Sequence, residues 1–417
     1  VRQKGLICMN ESAIPRLAGS KACTGCAACY AACGFRALEM RPDSEGFLRP
    51  YVDEDKCVGC GACERSCPEM RPVGLHDAPS TVFACWDRDF ARREAATSGG
   101  MFMRLADLAV DKGFWVCGAV LGENLSVHHV LTRDIETIKA MRGSKYVQSD
   151  VRDAMKDCLE VFRNGGGVLF SGTPCQVAAI RELAGEQYAG KLFTLDVLCH
   201  GAPSPRFWRD YLDYREEQVG DTAVGARFRK KTPSWTVFSL ELTFETEHRS
   251  QAWCTVEDLY LRAFLGDYIS RECCHSCRYV GIRRSGDITL ADFWGYVSEG
   301  RATRNDEHGI SLVMPNTAIG KQWFSEASDE LVVVEKPLEE AIRGNVPLRR
   351  RIEANIKRSE FWHDYEKGGI EAVRNTYLAP IKRGFKHRAN LYFNNHAYLV
   401  PRKIQKKLLE VRARLIS

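Results

Sequence analysis

Eight cysteines near the beginning of the sequence fall into two runs that share the spacing C-x2-C-x2-C-x3-C. The first run is Cys23, Cys26, Cys29 and Cys33, and the second is Cys57, Cys60, Cys63 and Cys67. Thiolates at this spacing wrap a [4Fe-4S] cluster, and the fourth cysteine of each run ligates the cluster of the other run. We therefore predict one cluster on Cys23, Cys26, Cys29 and Cys67, and a second on Cys57, Cys60, Cys63 and Cys33.

The alternative for these runs is a pair of zinc sites. Zinc typically uses two C-x2-C pairs that lie well apart rather than four cysteines in one run, so the spacing favours a ferredoxin-type module. Gly34 follows Cys33 where such runs usually have proline, whereas Pro68 follows Cys67. This departure leaves the ligand set unchanged. Clusters of this kind carry electrons without selecting a substrate, so substrate chemistry must come from residues further along the chain.

The composition indicates an ordered protein. The 417 residues are 45% hydrophobic and 27% charged, which excludes a disordered tract and a collagen-like fibre. Disulfide frameworks are typical of small secreted chains, and no apolar run is long enough to span a bilayer. The 18 cysteines therefore indicate metal binding in a reducing compartment, and we expect a cytoplasmic protein. Residues 341–417 carry 18 Lys and Arg against 6 Asp and Glu, so a mildly acidic body precedes a basic arm.

Strands and helices alternate after the cysteine runs, which predicts a mixed α/β fold. We expect helices over residues 101–112, 151–163, 174–183, 204–217 and 316–328, the last capped by Asn316, and strands over residues 114–121, 167–171, 191–198, 235–244, 287–290, 310–314 and 331–335. The predicted organisation is a leader (1–20), a ferredoxin domain with two [4Fe-4S] clusters (21–72), a larger α/β flavin-binding core (79–340) and a basic, mainly helical C-terminal arm (341–417).

Five segments of the core carry polar and cysteine residues in a recognisable order. They are residues 97–100 (TSGG), 142–149 (RGSKYVQS), 169–176 (LFSGTPCQ), 196–201 (DVLCHG) and 274–295, which begins CHSC and ends DITLADFWG. Together with the ferredoxin module in front of them, these segments resemble the beta subunit of coenzyme F420-reducing hydrogenase and dehydrogenase, a family that includes 7-hydroxymethyl chlorophyll a reductase.

The resemblance implies an FAD site. The family binds FAD without a Rossmann G-x-G-x-x-G, and the matching positions are Ser98, Gly99, Gly100, Gly143, Ser144, Lys145, Tyr146 and Thr173. The residues themselves agree, because residues 98–100 open a helix whose amides can accept a phosphate, and Lys145 and Tyr146 offer an ammonium and an aromatic face. The alternatives are an ordinary glycine-containing helix cap and a solvated loop.

The resemblance also implies a third [4Fe-4S] cluster beside the flavin, held by Cys175, Cys199, Cys274 and Cys277. Thr173 and Pro174 fit the start of a helix, so Cys175 is expected in its first turn, where the helix dipole lowers a thiol pKa. Cys273 is the alternative to its neighbour Cys274. Buried structural cysteines and a C-x2-C zinc clip are the other interpretations.

Further polar residues are candidates for substrate chemistry. His200 follows Cys199 directly and could deliver a proton beside a flavin, and a structural histidine is the alternative. Four charged residues flank a predicted strand that returns toward the cofactor: Arg283, Arg284, Asp287 and Asp292. They could bind an anionic substrate or form a surface ion-pair network.

The end of the chain has the pattern of a basic amphipathic helix. Within residues 401–417 the apolar positions are Ile404, Leu408, Val411 and Leu415. Such a helix could lie on a membrane surface, contact a partner, or dock on its own domain. We find no nucleic-acid-binding motif, and basic charge alone is weak support for one, so no nucleic-acid partner is expected.

These features together predict an iron–sulfur flavoprotein oxidoreductase. Electrons would enter from reduced ferredoxin or a similar donor, pass through the clusters to FAD, and reduce an organic small molecule such as a sugar or surface-polysaccharide precursor. One alternative is an electron-transfer subunit of a hydrogenase or dehydrogenase complex without a substrate of its own. A further alternative is an oxidoreductase that acts on coenzyme F420.

Overall fold

The computed structural model describes residues 14–232, 234–296 and 308–379. The predicted leader therefore lies mostly outside the described residues, and the predicted helix over residues 401–417 lies wholly outside them. No helix in the described ranges is both long and apolar enough to cross a membrane.

The cysteine-rich module is built from two short helices and one β-hairpin. Its elements are α1 (Ala28–Ala32), β1 (Leu38–Pro42), β2 (Leu48–Val52) and α2 (Ala62–Arg65), with β1 and β2 antiparallel. Each helix is preceded by a residue with left-handed backbone, Ala27 at φ 59° and Gly61 at φ 67°. The turn places the third cysteine of each run inside the helix, and the fourth cysteine follows where the helix has carried the chain away from its own run.

A large mixed sheet forms the centre of the body. The strands of the body form this sheet and a smaller one. They are β3 (Thr81–Asp87), β4 (Trp115–Leu121), β5 (Val127–Thr132), β6 (Val168–Gly172), β7 (Leu192–Val197), β8 (Ala223–Lys230), β9 (Ser239–Phe244), β10 (Ser250–Cys254), β11 (Ile288–Asp292), β12 (Ser311–Pro315) and β13 (Leu331–Pro337). Among the described residues the sheet has the order β13-β3-β12-β11-β7-β6-β4-β5, and β10-β9-β8 form a separate antiparallel sheet. Neighbouring strands β4, β6, β7 and β11 are parallel, so their carboxyl ends share one edge, where the predicted site segments 169–176 and 196–201 leave the sheet.

The helices pack on this sheet and on the smaller one. They are α3 (Phe90–Ala95), α4 (Met101–Asp111), α5 (Ile135–Ala140), α6 (Arg152–Arg163), α7 (Pro174–Ala184), α8 (Pro205–Val219), α9 (Leu259–Leu265), α10 (Ala318–Glu326), α11 (Leu338–Gly344) and α12 (Arg358–Arg374). The local sequence explains their starts. Thr173 and Gln176 form a capping box ahead of Pro174, and Ser204 Oγ accepts a hydrogen bond from Phe207 N at 3.0 Å.

The prediction of a mixed α/β fold is confirmed, and some details differ. Thr317 rather than Asn316 caps α10, because the Asn316 side chain donates to the carbonyl oxygen of Gly286. The strand predicted over residues 235–244 begins only at Ser239, since Trp235 turns into a buried contact with Asp292. Helix α11 crosses the predicted boundary between residues 340 and 341.

The first part of the predicted C-terminal arm packs on the body. In α12, the side chains of Phe361, Trp362 and Tyr365 are buried in the same cluster as Phe207 of α8 and Tyr260 of α9. Burying three large aromatic side chains contributes several kcal/mol to stability, at about 1.5–3 kcal/mol for each large apolar side chain. Residues 358–374 are thus part of the folded core rather than a separate extension.

Candidate iron–sulfur centres and cofactor site

The first cavity in the cysteine-rich module is lined by four cysteines. Cys23, Cys26, Cys29 and Cys67 surround an opening of about 300 Å³, together with small residues of the loop between Thr24 and Ala28. Burial raises the pKa of Cys26 to about 12, and it raises the pKa of Cys29 further, with the charges of the neighbouring thiols as a smaller cause. A group of buried thiols with raised pKa values is stable as thiolates only beside a compensating positive charge, as metal ions supply. The donor set therefore fits an iron–sulfur cluster.

The second cavity is lined by the complementary set of cysteines. Cys33, Cys57, Cys60 and Cys63 surround an opening of about 340 Å³. In this set Cys60 is exposed and Cys63 is buried, and burial raises the pKa of Cys63. The structure thus brings together the four sulfurs of each predicted set, with the fourth cysteine of each run in the cavity of the other run.

A further group of thiols lies in the body. Burial raises the pKa of Cys175, and the nearby thiols of Cys199, Cys277 and Cys273 raise it further. The pKa of Cys175 is therefore raised, whereas the position at a helix start predicts a lowered value, and burial is the largest cause. Burial likewise raises the pKa of Cys199 to about 12, with Cys277 and Cys273 among the other causes.

The structure distinguishes Cys273 from Cys274, which follow one another in a 3-10 turn over Glu272–Ser276. Cys273 is buried and interacts with Cys175, Cys199 and Cys277. The sulfur of Cys274 instead accepts a long hydrogen bond from the Ala202 amide at 3.4 Å. These electrostatic contacts favour Cys273 as the fourth thiol of the core group, although its side chain also interacts with that of Cys274; the sequence pattern offers Cys273 only as the alternative to Cys274.

Tyr279 lies near the first cavity and also near the core thiols. Its hydroxyl donates to Glu69 Oε1 at 3.0 Å, and Glu69 lines the first cavity. Burial raises the pKa of Tyr279, and the charges of Glu69, Cys175 and Cys26 add to this effect. One phenol thus lies near a cysteine of each group.

Two of the segments predicted to bind FAD lie against each other. The amide of Ser144 donates to Thr97 Oγ1 at 2.9 Å, and Gly100 has a φ of 101° where it opens α4. The Ser98 hydroxyl is buried and has no hydrogen-bond partner within the described part of the chain. Gly99 has a packing role, because a Cβ there would lie 2.2 Å from the carbonyl oxygen of Cys85 in β3.

The side chains of Lys145 and Tyr146 point inward. Lys145 Nζ donates to the carbonyl oxygens of Ala140 at 2.8 Å and Arg142 at 3.1 Å, and burial lowers its pKa to about 7. The Tyr146 ring packs among Phe228, Phe238 and Phe264, and its hydroxyl accepts from Arg229 at 3.1 Å. Both residues are half-buried, and the packing of the Tyr146 ring among three phenylalanines argues against the solvated-loop alternative for Tyr146.

Thr173 and His200 lie close to the core thiols in sequence and in space. Thr173 caps α7. Its Oγ1 also lies 3.2 Å from Cys175 Sγ, so it contacts a candidate cluster ligand. His200 Nε2 lies 3.2 Å from Asp267 Oδ1, and its ring meets the edge of Phe264. The geometry of this contact does not meet that of a hydrogen bond, so the carboxylate acts on the imidazole through its charge. This fits either a proton donor or a structural histidine.

The four charged residues predicted to bind a substrate do not form one group. Arg283 is exposed and pairs with Asp77 at 3.3 Å. Arg284 is 1% exposed and pairs at 3.3 Å with Asp196, which is fully buried. Asp287 accepts from Thr194 and Thr317, and Asp292 binds Arg229 at 2.7 Å. Arg284 and Asp287 therefore hold strands together inside the sheet, and the prediction of an anion-binding cluster is corrected.

The sequence pattern missed residues that join the module to the body. Arg271 is fully buried and its Nε donates to the carbonyl oxygen of Cys23 at 2.8 Å. Gln148 Nε2 donates to the carbonyl oxygen of Thr24 at 2.9 Å. Arg271 lies two positions before Cys273, and Gln148 lies within one of the family-like segments, but nothing in the sequence indicates that either residue reaches the first cysteine run.

Both the cysteine-rich module and the body are similar in sequence to known protein families. Residues 22–70 match the family model of the 4Fe-4S dicluster domain, and residues 166–341 match that of the C terminus of the coenzyme F420 hydrogenase/dehydrogenase beta subunit. The chain is 22% identical over 330 residues to one subunit of the F(420)H(2) dehydrogenase of Methanosarcina mazei, covering 76% of this chain and 85% of the relative.

A solved structure is also similar. It is a chain of the F420-reducing [NiFe] hydrogenase complex from Methanosarcina barkeri, with 21% sequence identity, a TM-score of 0.45, and coverage of 72% of this chain and 94% of that chain. The family matches confirm the resemblance that the sequence segments indicate. The chain thus combines a segment similar to the 4Fe-4S dicluster domain with a segment similar to the C terminus of the coenzyme F420 hydrogenase/dehydrogenase beta subunit.

Proposed function

We propose that this chain is the electron-transfer subunit of a hydrogenase- or dehydrogenase-type complex. The observation that carries the proposal is the presence of three thiol groups, namely two cysteine-lined cavities and a buried core group, with Tyr279 near both the first cavity and the core group. The relative from Methanosarcina mazei is itself named as a dehydrogenase subunit, which supports work within a complex. The partner would be another subunit that carries the substrate chemistry.

Twelve cysteines are proposed as the ligands of three clusters. The lining of the two cavities supports Cys23, Cys26, Cys29 and Cys67 as ligands of one cluster and Cys33, Cys57, Cys60 and Cys63 as ligands of the other. The electrostatic contacts in the core support Cys175, Cys199, Cys273 and Cys277 for the third. When bound, [4Fe-4S] clusters accept and release single electrons. The protein supplies thiolates at fixed positions, a low-dielectric surrounding and the contacts that keep the module against the body.

Metal analysis of cysteine variants tests the ligand sets. The anaerobically purified chain should contain about twelve iron atoms, the number in three four-iron clusters. Cys273→Ser should lose about four of them, together with one set of electron paramagnetic resonance (EPR) signals, while the matched control Cys274→Ser should keep them. About eight iron atoms in the wild type, unchanged in Cys273→Ser, would rule out the core cluster.

A second candidate function is reduction of an organic substrate by a flavin in this chain. Two observations favour it: the contact between Thr97 and Ser144, which joins the two predicted FAD segments, and the unpartnered hydroxyl of Ser98 among the described residues. The Ser98 hydroxyl and the amide of Gly100 would contact a phosphate, and His200 would hold a proton for transfer. Reduced ferredoxin would be the donor, and coenzyme F420 or a sugar derivative the acceptor.

Flavin uptake separates the two candidates. Under the second candidate, the purified chain should take up FAD, which is seen as quenching of flavin fluorescence. Ser98→Ala should then weaken that uptake more than the exposed control Ser20→Ala. Turnover of a small molecule by the isolated chain would favour the second candidate. A chain without flavin that reduces a co-purified subunit would leave electron transfer as its function.

A further inference from the structure

Arg271 places a buried positive charge against the first cysteine run. Its guanidinium donates to Gln148 Oε1 at 2.7 Å, to the carbonyl oxygen of Leu48 at 3.0 Å and to that of Cys23 at 2.8 Å. Its Nη2 also lies 3.6 Å from the sulfur of Cys23. Every one of these contacts reaches the cysteine-rich module or a residue that binds it.

This charge has no carboxylate partner among the residues that the structure describes. Its hydrogen-bond acceptors are carbonyl oxygens, an amide oxygen and a sulfur, and the Phe47 ring lies 5.2 Å away. Other buried arginines of the protein do have a carboxylate, such as Asp196 for Arg284. Buried charges in proteins are normally paired, because leaving one unpaired is strongly destabilising. The negative charge that balances Arg271 must therefore come from the thiolate sulfurs beside it.

The loop of the first run is shaped around this side chain. A Cβ on Gly25 would lie 2.6 Å from Arg271 Nη1 and 2.7 Å from Gln148 Nε2, so only glycine fits there. The positive φ of 69° at Gly25 has the same consequence. Arg271 also interacts with the core thiol Cys273, two residues further along the chain. The guanidinium therefore contacts the first cysteine run and belongs to a residue two positions from a core thiol.

We propose that Arg271 sets the reduction potential of the centre held by Cys23, Cys26, Cys29 and Cys67, and makes that centre the easier of the module's two centres to reduce. The proposal rests on the proposed function, because it requires a cluster on these cysteines. Reduction adds one electron, taken from the external donor, and so adds one negative charge to the cluster. A fixed cation beside a ligand sulfur stabilises the reduced state more than the oxidised state.

This arrangement would direct electrons through the module. The second cavity has an exposed cysteine, Cys60, and no buried arginine contacts its cysteines within the described residues; the Arg65 guanidinium donates to the Cys60 carbonyl oxygen at the surface. Electrons that arrive at this exposed centre would be drawn to the centre beside Arg271, which lies next to the core thiols. In this scheme Arg271 acts on the centre indirectly, through its positive charge beside a ligand sulfur.

Redox titration followed by EPR tests the proposal on the full chain with its clusters, using dithionite as reductant. Arg271→Gln should make one of the two module potentials more negative. The expected change in the equilibrium constant of reduction is at least about tenfold, which corresponds to about 59 mV for one electron. Arg271→Lys keeps the charge and should shift it less. The control Arg41→Gln, an exposed arginine of the same module that pairs with Glu39, should leave both potentials unchanged.

A second variant keeps the test decisive where Arg271→Gln fails to retain iron. Gln148→Glu places a carboxylate within reach of the guanidinium, so it neutralises the charge while Arg271 stays in place, and it should shift the same potential in the same direction. Unchanged potentials in whichever of these two variants retains its clusters would overturn the role of Arg271. Absence of [4Fe-4S] signals in the wild type would instead overturn the proposed function.

Discussion

Arg284 provides a direct test of whether the charged residues of the core bind substrate or hold the sheet together. Arg284→Met keeps most of the side-chain volume and removes the charge. The change leaves Asp196 buried without its partner, and it also removes donors to the carbonyl oxygens of Tyr279 at 3.0 Å and Val197 at 3.1 Å. Removing one member of a buried ion pair costs about 3–5 kcal/mol.

The expected loss is reduced by the remaining contacts of Asp196. Its carboxylate still accepts from the amides of Ser285 at 3.0 Å and Gly286 at 3.1 Å, so we expect a loss of about 3 kcal/mol, at the lower end of that range. The matched control is Arg283→Met. Arg283 is exposed, and its ion pair with Asp77 should contribute no more than about 1 kcal/mol.

Equilibrium unfolding in urea, followed by tryptophan fluorescence, measures the difference. Iron content should be measured on the same samples, because Arg284 also holds the loop that carries Tyr279 and follows Cys277. If Arg284→Met unfolds at the same urea concentration as Arg283→Met but no longer supports turnover, the structural role of Arg284 would be refuted. A substrate-binding arginine would give that result.

Three further predictions follow from single contacts. Gly99→Ala should destabilise the protein by about 1–3 kcal/mol, because the added methyl collides with the backbone of β3, whereas Gly190→Ala, with open space around it, should cost less than about 1 kcal/mol in urea unfolding. Burial lowers the pKa of Lys145 to about 7 in the folded state, from an ordinary value of 10.5. Between these two pH values the unfolded state binds more protons than the folded state, so the free energy of unfolding should rise with pH. A pH series of unfolding curves should show this slope in the wild type and not in Lys145→Met. Tyr279→Phe keeps the ring but loses the hydrogen bond to Glu69, which should cost about 1–3 kcal/mol of contact between module and body and speed hydrogen exchange in residues 21–72; equal exchange rates would contradict that contact.

The cysteine runs show how far local spacing can determine a site. Ligands that lie within one short loop are fixed by the backbone between them, so C-x2-C-x2-C predicts which three sulfurs share a cavity. The exchange of Cys33 and Cys67 between the cavities is also predictable, because each follows a helix that starts inside its own run. The alternation of strands and helices likewise depends on side-chain periodicity, which is a local property.

The remaining features depend on residues that are distant in sequence. Whether Cys273 or Cys274 joins the core thiols depends on how a 3-10 turn meets the ends of β7 and α7, and adjacent cysteines look equivalent in sequence. Arg284 looks like a surface charge in the sequence, but it is buried where β7 pairs with β11, and Asp287 is half-buried there. Arg271 reaches a cysteine run 248 positions earlier, and only the docking of the module on the body removes its charge from water. The sequence by itself predicted the two thiol sets of the module and the fold class, because both follow from local spacing. The tertiary structure decided which charged side chains are buried, because burial depends on contacts between residues that are distant in sequence.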